Sequence, residues 1–176
     1  GSPEGDGHLY VAFRRDKDIE GDYVLDKLSL APNNPNRLNG ILVNWTRGDG
    51  AQFGYSVATE IDFNHDGNSD LIIGAPRADV AKRDGSGTTQ EAGAILVIFS
   101  HPQLVTPAGG ISVDELLRTG RAIMITGNDL DPQGWFGFNT VSAGDVDNDG
   151  KIDILVSAPG AAPRFDPTPT DSVDDM

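Results

Sequence analysis

The chain has 176 residues, enough for one domain with a buried core, and no apolar run long enough to span a membrane. Thirteen Lys and Arg against 27 Asp and Glu give a net charge of −14; this excludes the basic surface that nucleic acid binding needs and suits cation binding or plain solubility. Cysteine is absent, which excludes disulfides, zinc–thiolate sites and thiol nucleophiles but leaves the compartment open.

Residues 1–6 read as a linker. Gly1-Ser2 looks like a cloning remnant, so the lack of a secretory signal carries no information. "GHLYVAF" (7–13) has strand length. "DKDIEGDY" (16–23) alternates Asp16, Asp18, Glu20 and Asp22 loosely and reads as a solvated acidic loop rather than a metal site. "VLDKL" (24–28) follows, and then "ILVNW" (41–45), a second strand. Asn44-Trp45-Thr46 is a glycosylation sequon if the source is secreted and eukaryotic, though its place on a strand argues against its use. Trp45, like Trp135 further on, reads as a packing residue ahead of a sugar-stacking one.

Phe53-Gly54 opens the next stretch. Phe53 is expected in the core, and Gly54 at a backbone bend or close approach. A strand follows, then the acidic loop "DFNHDGNSD" (62–70), then "LIIGAP" (71–76), an apolar run of the kind covered on both faces. "RADVAKRDGSGTTQE" (77–91) and "SHPQLVTPAGG" (100–110) are variable segments of the sort that carry recognition. Between them "GAILVIF" (93–99) is another strand. "SVDELLRTG" (112–120) predicts a helical turn and "AIMIT" (122–126) a strand. Phe136-Gly137, "DVDNDGKID" (145–153) and "ILVSAP" (154–159) then repeat the earlier series. The tail 166–176, rich in Pro, Thr and Asp, reads as a disordered segment or linker.

The repetition is quantitative. Residues 52–76 lie over 135–159 without a gap, every offset being 83 residues. More loosely, 93–99 resembles 7–13 and 113–117 resembles 24–28. The class is all-β, built from four-stranded antiparallel blades of propeller type. Each unit is expected to comprise a strand before Phe-Gly, one after it, one entering Ala-Pro, and a fourth such as 93–99. That puts repeat one at about 41–99 and repeat two at about 121–160, inside a domain of 7–165. The strand phase is then permuted, and the propeller is incomplete or completed by oligomerisation. The N-terminal strand 7–13 is free to complete the second unit within the chain, or a unit of a neighbouring chain.

In each acidic loop, oxygen-bearing side chains occupy positions one, three, five and nine: Asp62, Asn64, Asp66 and Asp70, then Asp145, Asp147, Asp149 and Asp153. Glycine holds position six (Gly67, Gly150), where a sharp turn is needed. Position seven, Asn68 or Lys151, offers a backbone carbonyl, with the Lys151 side chain expected outside. The set suits calcium, which takes about six to eight oxygens; magnesium prefers a smaller, wetter shell. It is not an EF-hand, because position twelve (Ile73, Val156) lies in an apolar strand. A plain Asp-Asn-Gly hairpin turn is the alternative, and two matched copies argue against it. Two calcium ions would take the charge from −14 to −10.

Phe-Gly, an Asp-x-Asn/Asp-x-Asp-Gly-x-x-Asp loop and Gly-Ala-Pro or Ser-Ala-Pro resemble the FG-GAP repeat of integrin α-subunit propellers and related proteins. The resemblance implies calcium in loops on one face of a β-propeller, with extracellular adhesion or ligand binding. Ser157 replaces the family's usual Gly, and two repeats stand where integrins have seven.

His8, His65 and His101 form no motif, and His65 is expected to point outward. No Gly-x-Ser-x-Gly elbow or His-Glu-x-x-His helix is present, and the clustered aspartates are assigned to metal. The expectation is therefore a non-enzymatic, calcium-binding extracellular module with a protein or glycan ligand, no nucleic acid partner and no direct membrane insertion. The alternatives are a polysaccharide-acting enzyme or lectin module, and an assembly unit that self-associates head to tail by strand exchange.

Overall fold

The computed structural model describes residues 5–12, 40–100 and 110–162. Their elements are β1 (His8–Ala12), β2 (Gly40–Asn44), β3 (Ser56–Ile61), β4 (Asp70–Ala75), β5 (Val80–Ala81), β6 (Thr88–Thr89), β7 (Ala94–Ile98), β8 (Ile111–Ser112), α1 (Val113–Arg118), β9 (Ala122–Thr126), β10 (Asn139–Gly144) and β11 (Asp153–Ser157). The acidic loop 16–23, the segment 24–28, most of 100–110 with His101, and the tail 166–176 lie outside the described residues.

The fold is all-β, as the short Val- and Ile-rich runs predict. One complete four-stranded antiparallel sheet, β3-β4-β7-β9, stands at the centre. On one side lies β1-β2-β8, in which β1 and β2 are antiparallel; on the other lies the pair β10-β11. Among the described residues these sheets do not close into a ring.

Strand alternation explains the packing. Successive side chains leave opposite faces of a strand, so Ile73, Leu96 and Ile98 enter one core with Leu9, Ile41, Val43, Trp45 and Phe53. Ile72, Ile95 and Val97 enter a second core with Ile61, Phe136, Ile154 and Val156. The central sheet is thus covered on both faces, which is why β4 and β7 read as continuous apolar runs. Each fully buried Ile or Leu contributes roughly 1.5–3 kcal/mol relative to exposure.

Helix α1 begins where Ser112 Oγ accepts the Glu115 N–H at 3.2 Å, satisfying one of the free donors of the first turn. It ends after Arg118 and buries Val113 and Leu116 in the first core. Among the described residues no helix is long and apolar enough to cross a membrane.

Two expectations are corrected. The strand before Phe-Gly does not open the sheet that follows it: β2 is flanked by β1 and β8, and the turn at Gln52–Gly54, with φ of 55° and 91°, redirects the chain before β3 begins. A sheet therefore starts after Phe-Gly, and β1 pairs with β2 instead of completing the second unit. The second correction concerns "ILVSAP". It is covered on one face only, with Leu155 exposed, because no sheet among the described residues lies beyond β10-β11.

The close-approach glycines stand where expected. A Cβ on Gly54 would lie 3.1 Å from His8 O, and one on Gly137 2.4 Å from Ala94 O. Phe53 and Trp45 are buried, with ring centroids 5.5 Å apart.

Candidate functional site

Each acidic loop joins the first two strands of its sheet, β3 to β4 and β10 to β11. Just ahead of each, the register slips, between Ala58 and Ile61 and between Ser142 and Gly144. Such a bulge re-aims the strand end.

The loops are then folded by their own carboxylates, residue for residue. Asp66 N donates to Asp62 Oδ1 at 2.9 Å and Gly67 N to Asp62 Oδ2 at 2.8 Å. In the second loop Asp149 N donates to Asp145 Oδ1 at 3.0 Å and Gly150 N to Asp145 Oδ2 at 2.9 Å. Position three accepts from the same N–H: Asn64 Oδ1 at 3.1 Å and Asp147 Oδ1 at 3.0 Å. Position nine closes each loop, Asp70 Oδ2 accepting from Phe63 N at 2.9 Å and Asp153 Oδ2 from Val146 N at 2.8 Å. Residues four and six take left-handed φ: His65 59°, Asn148 61°, Gly67 86° and Gly150 87°. Two residues of this hand, one on each side of position five, wind the loop so that alternate side chains converge. His65 is exposed, as expected.

The donor set suits a hard divalent cation. Carboxylate oxygens of Asp145, Asp147 and Asp149 all lie within 4.8 Å of one another. Three negative charges at that spacing repel unless a cation sits among them, and an all-oxygen set favours calcium or magnesium over softer metals. Asp153 stands outside this trio, at the foot of the loop. The first loop has the same hydrogen-bond frame with an amide, Asn64, at position three. Asp70 is wholly buried beneath it, while Asp153 is half-buried.

The Lys151 side chain is exposed and lies along the outside of the loop, with Nζ 2.7 Å from Asp149 Oδ2. The cause is electrostatic: the clustered carboxylates draw in the nearest ammonium. That contact, and then the Lys151 N–H, hold the Asp149 carboxyl below its ordinary range, and Asp149 raises the Lys151 ammonium. At the same position in the first loop, Asn68 Nδ2 donates to Asp66 Oδ1 at 2.9 Å.

Two features are not evident from the repeat pattern alone. Asp70 Oδ1 accepts the Ser100 N–H at 2.8 Å, so residues just beyond β7 also fix the first loop. Tyr55 and Phe138, each the residue after Phe-Gly, bring their rings to 4.9 Å. With Gln52, Pro76, Arg77 and Trp135 they line an open cleft of about 110 Å³. The available signal was an aromatic at one repeat position with no core to fill. Trp135 is half-buried and donates from Nε1 to Glu91 Oε2 at 3.0 Å.

The FG-GAP repeat family model matches residues 53–98 and 137–173. The chain carries two FG-GAP repeats. Among curated proteins it is similar to integrin alpha-5 of Xenopus laevis, 36% identical over 107 residues, 61% of this chain and 8% of that protein. Integrin alpha-V of Gallus gallus is 35% identical over 109 residues, 62% of the chain and 9% of that protein. Integrin alpha-IIb of Homo sapiens is 34% identical over 111 residues, 63% of the chain and 9% of that protein. The chain thus spans less than a tenth of the length of these relatives. FG-GAP repeats are β-propeller blades, and the central sheet here is one such blade in full.

Proposed function

We propose that this chain is a calcium-stabilised, non-enzymatic FG-GAP module that works outside the cell and binds a protein or glycan ligand. One observation carries the reading: two acidic hairpins that share the same frame of backbone N–H bonds to positions one, three, five and nine lie within FG-GAP repeats similar to those of integrin alpha chains. We assign the module to residues 7–165. One cation would be held by the side chains of Asp62, Asn64, Asp66 and Asp70 with the Asn68 carbonyl. The other would be held by Asp145, Asp147, Asp149 and Asp153 with the Lys151 carbonyl. When bound, calcium supplies positive charge that neutralises the carboxylates and clamps the hairpin. The chain's own part is to preorganise the oxygens through the Asp62 and Asp145 turns and to anchor them on β4 and β11.

The extracellular location is part of this reading and rests on the affinity usual for such modules. Extracellular calcium modules have dissociation constants of about 10⁻⁴–10⁻³ M, so such sites fill outside cells and empty in cytosol. Ligand contact is assigned to the aromatic cleft around Tyr55 and Phe138 and to the hairpin β5-β6, both on a rigid scaffold.

At a hundredfold excess over the dissociation constant, calcium should add about 2.7 kcal/mol of stability per site. Asp149→Ala should therefore lower the melting temperature in calcium and leave it nearly unchanged in chelator. Equal losses in both conditions, read by calorimetry, would remove calcium from the account.

A further inference from the structure

Hairpin β5-β6 lies in the connection from β4 to β7, and a second connection runs from β9 to β10. Each of β4 and β9 is antiparallel to β7, so the two run in one direction and both connections leave the same end of the central sheet. Between them is a cleft of about 370 Å³. Clefts of about 300–1,000 Å³ are the usual size for small-molecule sites. Both walls spring from the complete sheet at the centre of the fold.

Hydrogen bonds hold the walls at a fixed distance. Arg83 N donates to Asp129 Oδ2 at 2.8 Å, Thr89 Oγ1 donates to Asp129 O, and Gln133 N donates to Gln90 O at 2.9 Å. The cleft is therefore formed before any ligand arrives. The same bonds occupy the Gln90 carbonyl and cross from wall to wall, so an extended peptide finds no continuous strand edge to pair with. The shape suits a compact group.

The chemistry of the lining narrows that group. Thr88 and Gln90 are exposed, and among the described residues their side chains make no hydrogen bond. A hydroxyl and an amide together offer donors and acceptors in similar number. Lys82 and Asp129, both half-buried, place one charge of each sign in the walls, so net charge selects neither an anion nor a cation. Leu130, 66% exposed, and Pro132 add a small apolar patch. A sugar matches this set: its hydroxyls both donate and accept, it is uncharged, and one face of its ring presents C–H groups.

We propose that this cleft is a glycan subsite that takes one terminal, uncharged hexose. Thr88 and Gln90 pair with its hydroxyls, Asp129 accepts and Lys82 donates at the rim, and Leu130 with Pro132 covers the ring face. The inference rests on the reading of the chain as a ligand-binding module and narrows it to one ligand class at one place. A hexose is small and exchanges bonds to water for bonds to protein, so its dissociation constant should lie at about 1–10 mM.

The test is a titration with the methyl glycosides of glucose, galactose, mannose and N-acetylglucosamine, followed by nuclear magnetic resonance. At least one should shift the Gln90 side-chain amide and the Leu130 methyl groups saturably. Thr88→Val with Gln90→Ala, both at exposed positions, should weaken that binding about tenfold while circular dichroism and the melting temperature stay unchanged. No shift with any of the glycosides at tens of millimolar would overturn the proposal. So would shifts that survive the double variant, shifts centred on Tyr55 and Phe138, or a stronger response to free arginine or glutamate than to any sugar. Calcium uptake measured on the same samples keeps the two readings apart: ions bound without any sugar effect would overturn the subsite and leave the calcium-stabilised module standing.

Discussion

Lys151 is one of the two positions at which the loops differ in charge, the other being Asp147 in place of Asn64, and it separates the cation reading from a simple turn. In chelator its ammonium pairs with Asp149 and favours the folded loop. Asp149 titrates below the usual carboxylate range when folded. That contribution is therefore present above the ordinary carboxylate range and is lost as pH falls through the lower folded value. The pair is exposed, so it is small and screened by salt. Lys151→Asn, which installs the residue of the first loop, should slightly lower the melting temperature in chelator at neutral pH and leave it unchanged in strong acid. In calcium the sign reverses: removing the lysine's repulsion of the cation should tighten binding by a few-fold, and less so at high salt. Calorimetric titration of the variant checks both halves. Weaker calcium binding would mean that the lysine assists the site.

At the scale of elements, the repeat places chemically similar residues in different environments. Ile72 and Leu155 are counterparts, yet one is buried between sheets and the other is exposed. Ile72→Ala should cost about 2–5 kcal/mol. Leu155→Ala, at a largely exposed position, should stay within about 0.5 kcal/mol. Denaturant melts of the two variants test whether the second face of β10-β11 is open. Helix α1 supplies a smaller test: Ser112→Ala removes its cap and should cost about 1 kcal/mol. The strands themselves were legible in sequence because Val- and Ile-rich runs bounded by Gly, Asp and Pro leave little choice. Their grouping was not. Nothing in "ILVNW" says which neighbour it pairs with, and the 83-residue offset marks the period of a repeat without marking where a blade begins. The decision lies in the turn at Gln52–Gly54 and in contacts between β1 and β2, which are distant in sequence.

For the whole molecule, the acidic balance and the two loops form one physical statement. A chain with net charge −14 concentrates aspartates in two loops whose backbone their own carboxylates fold. The loop pattern was readable because position-by-position spacing is a local property. The ion pair between Lys151 and Asp149 and the cleft of Tyr55 and Phe138 were not, because they arise from charge clustering and from the meeting of two blades. The most direct measurement is the number of calcium ions bound per chain by equilibrium dialysis, with melting temperature read on the same samples. The account predicts two ions per chain, a melting temperature that rises with occupancy by about 2–4 °C per kcal/mol, and one ion for Asp149→Ala. No binding at millimolar calcium, or binding that leaves the melting temperature unmoved, would contradict it.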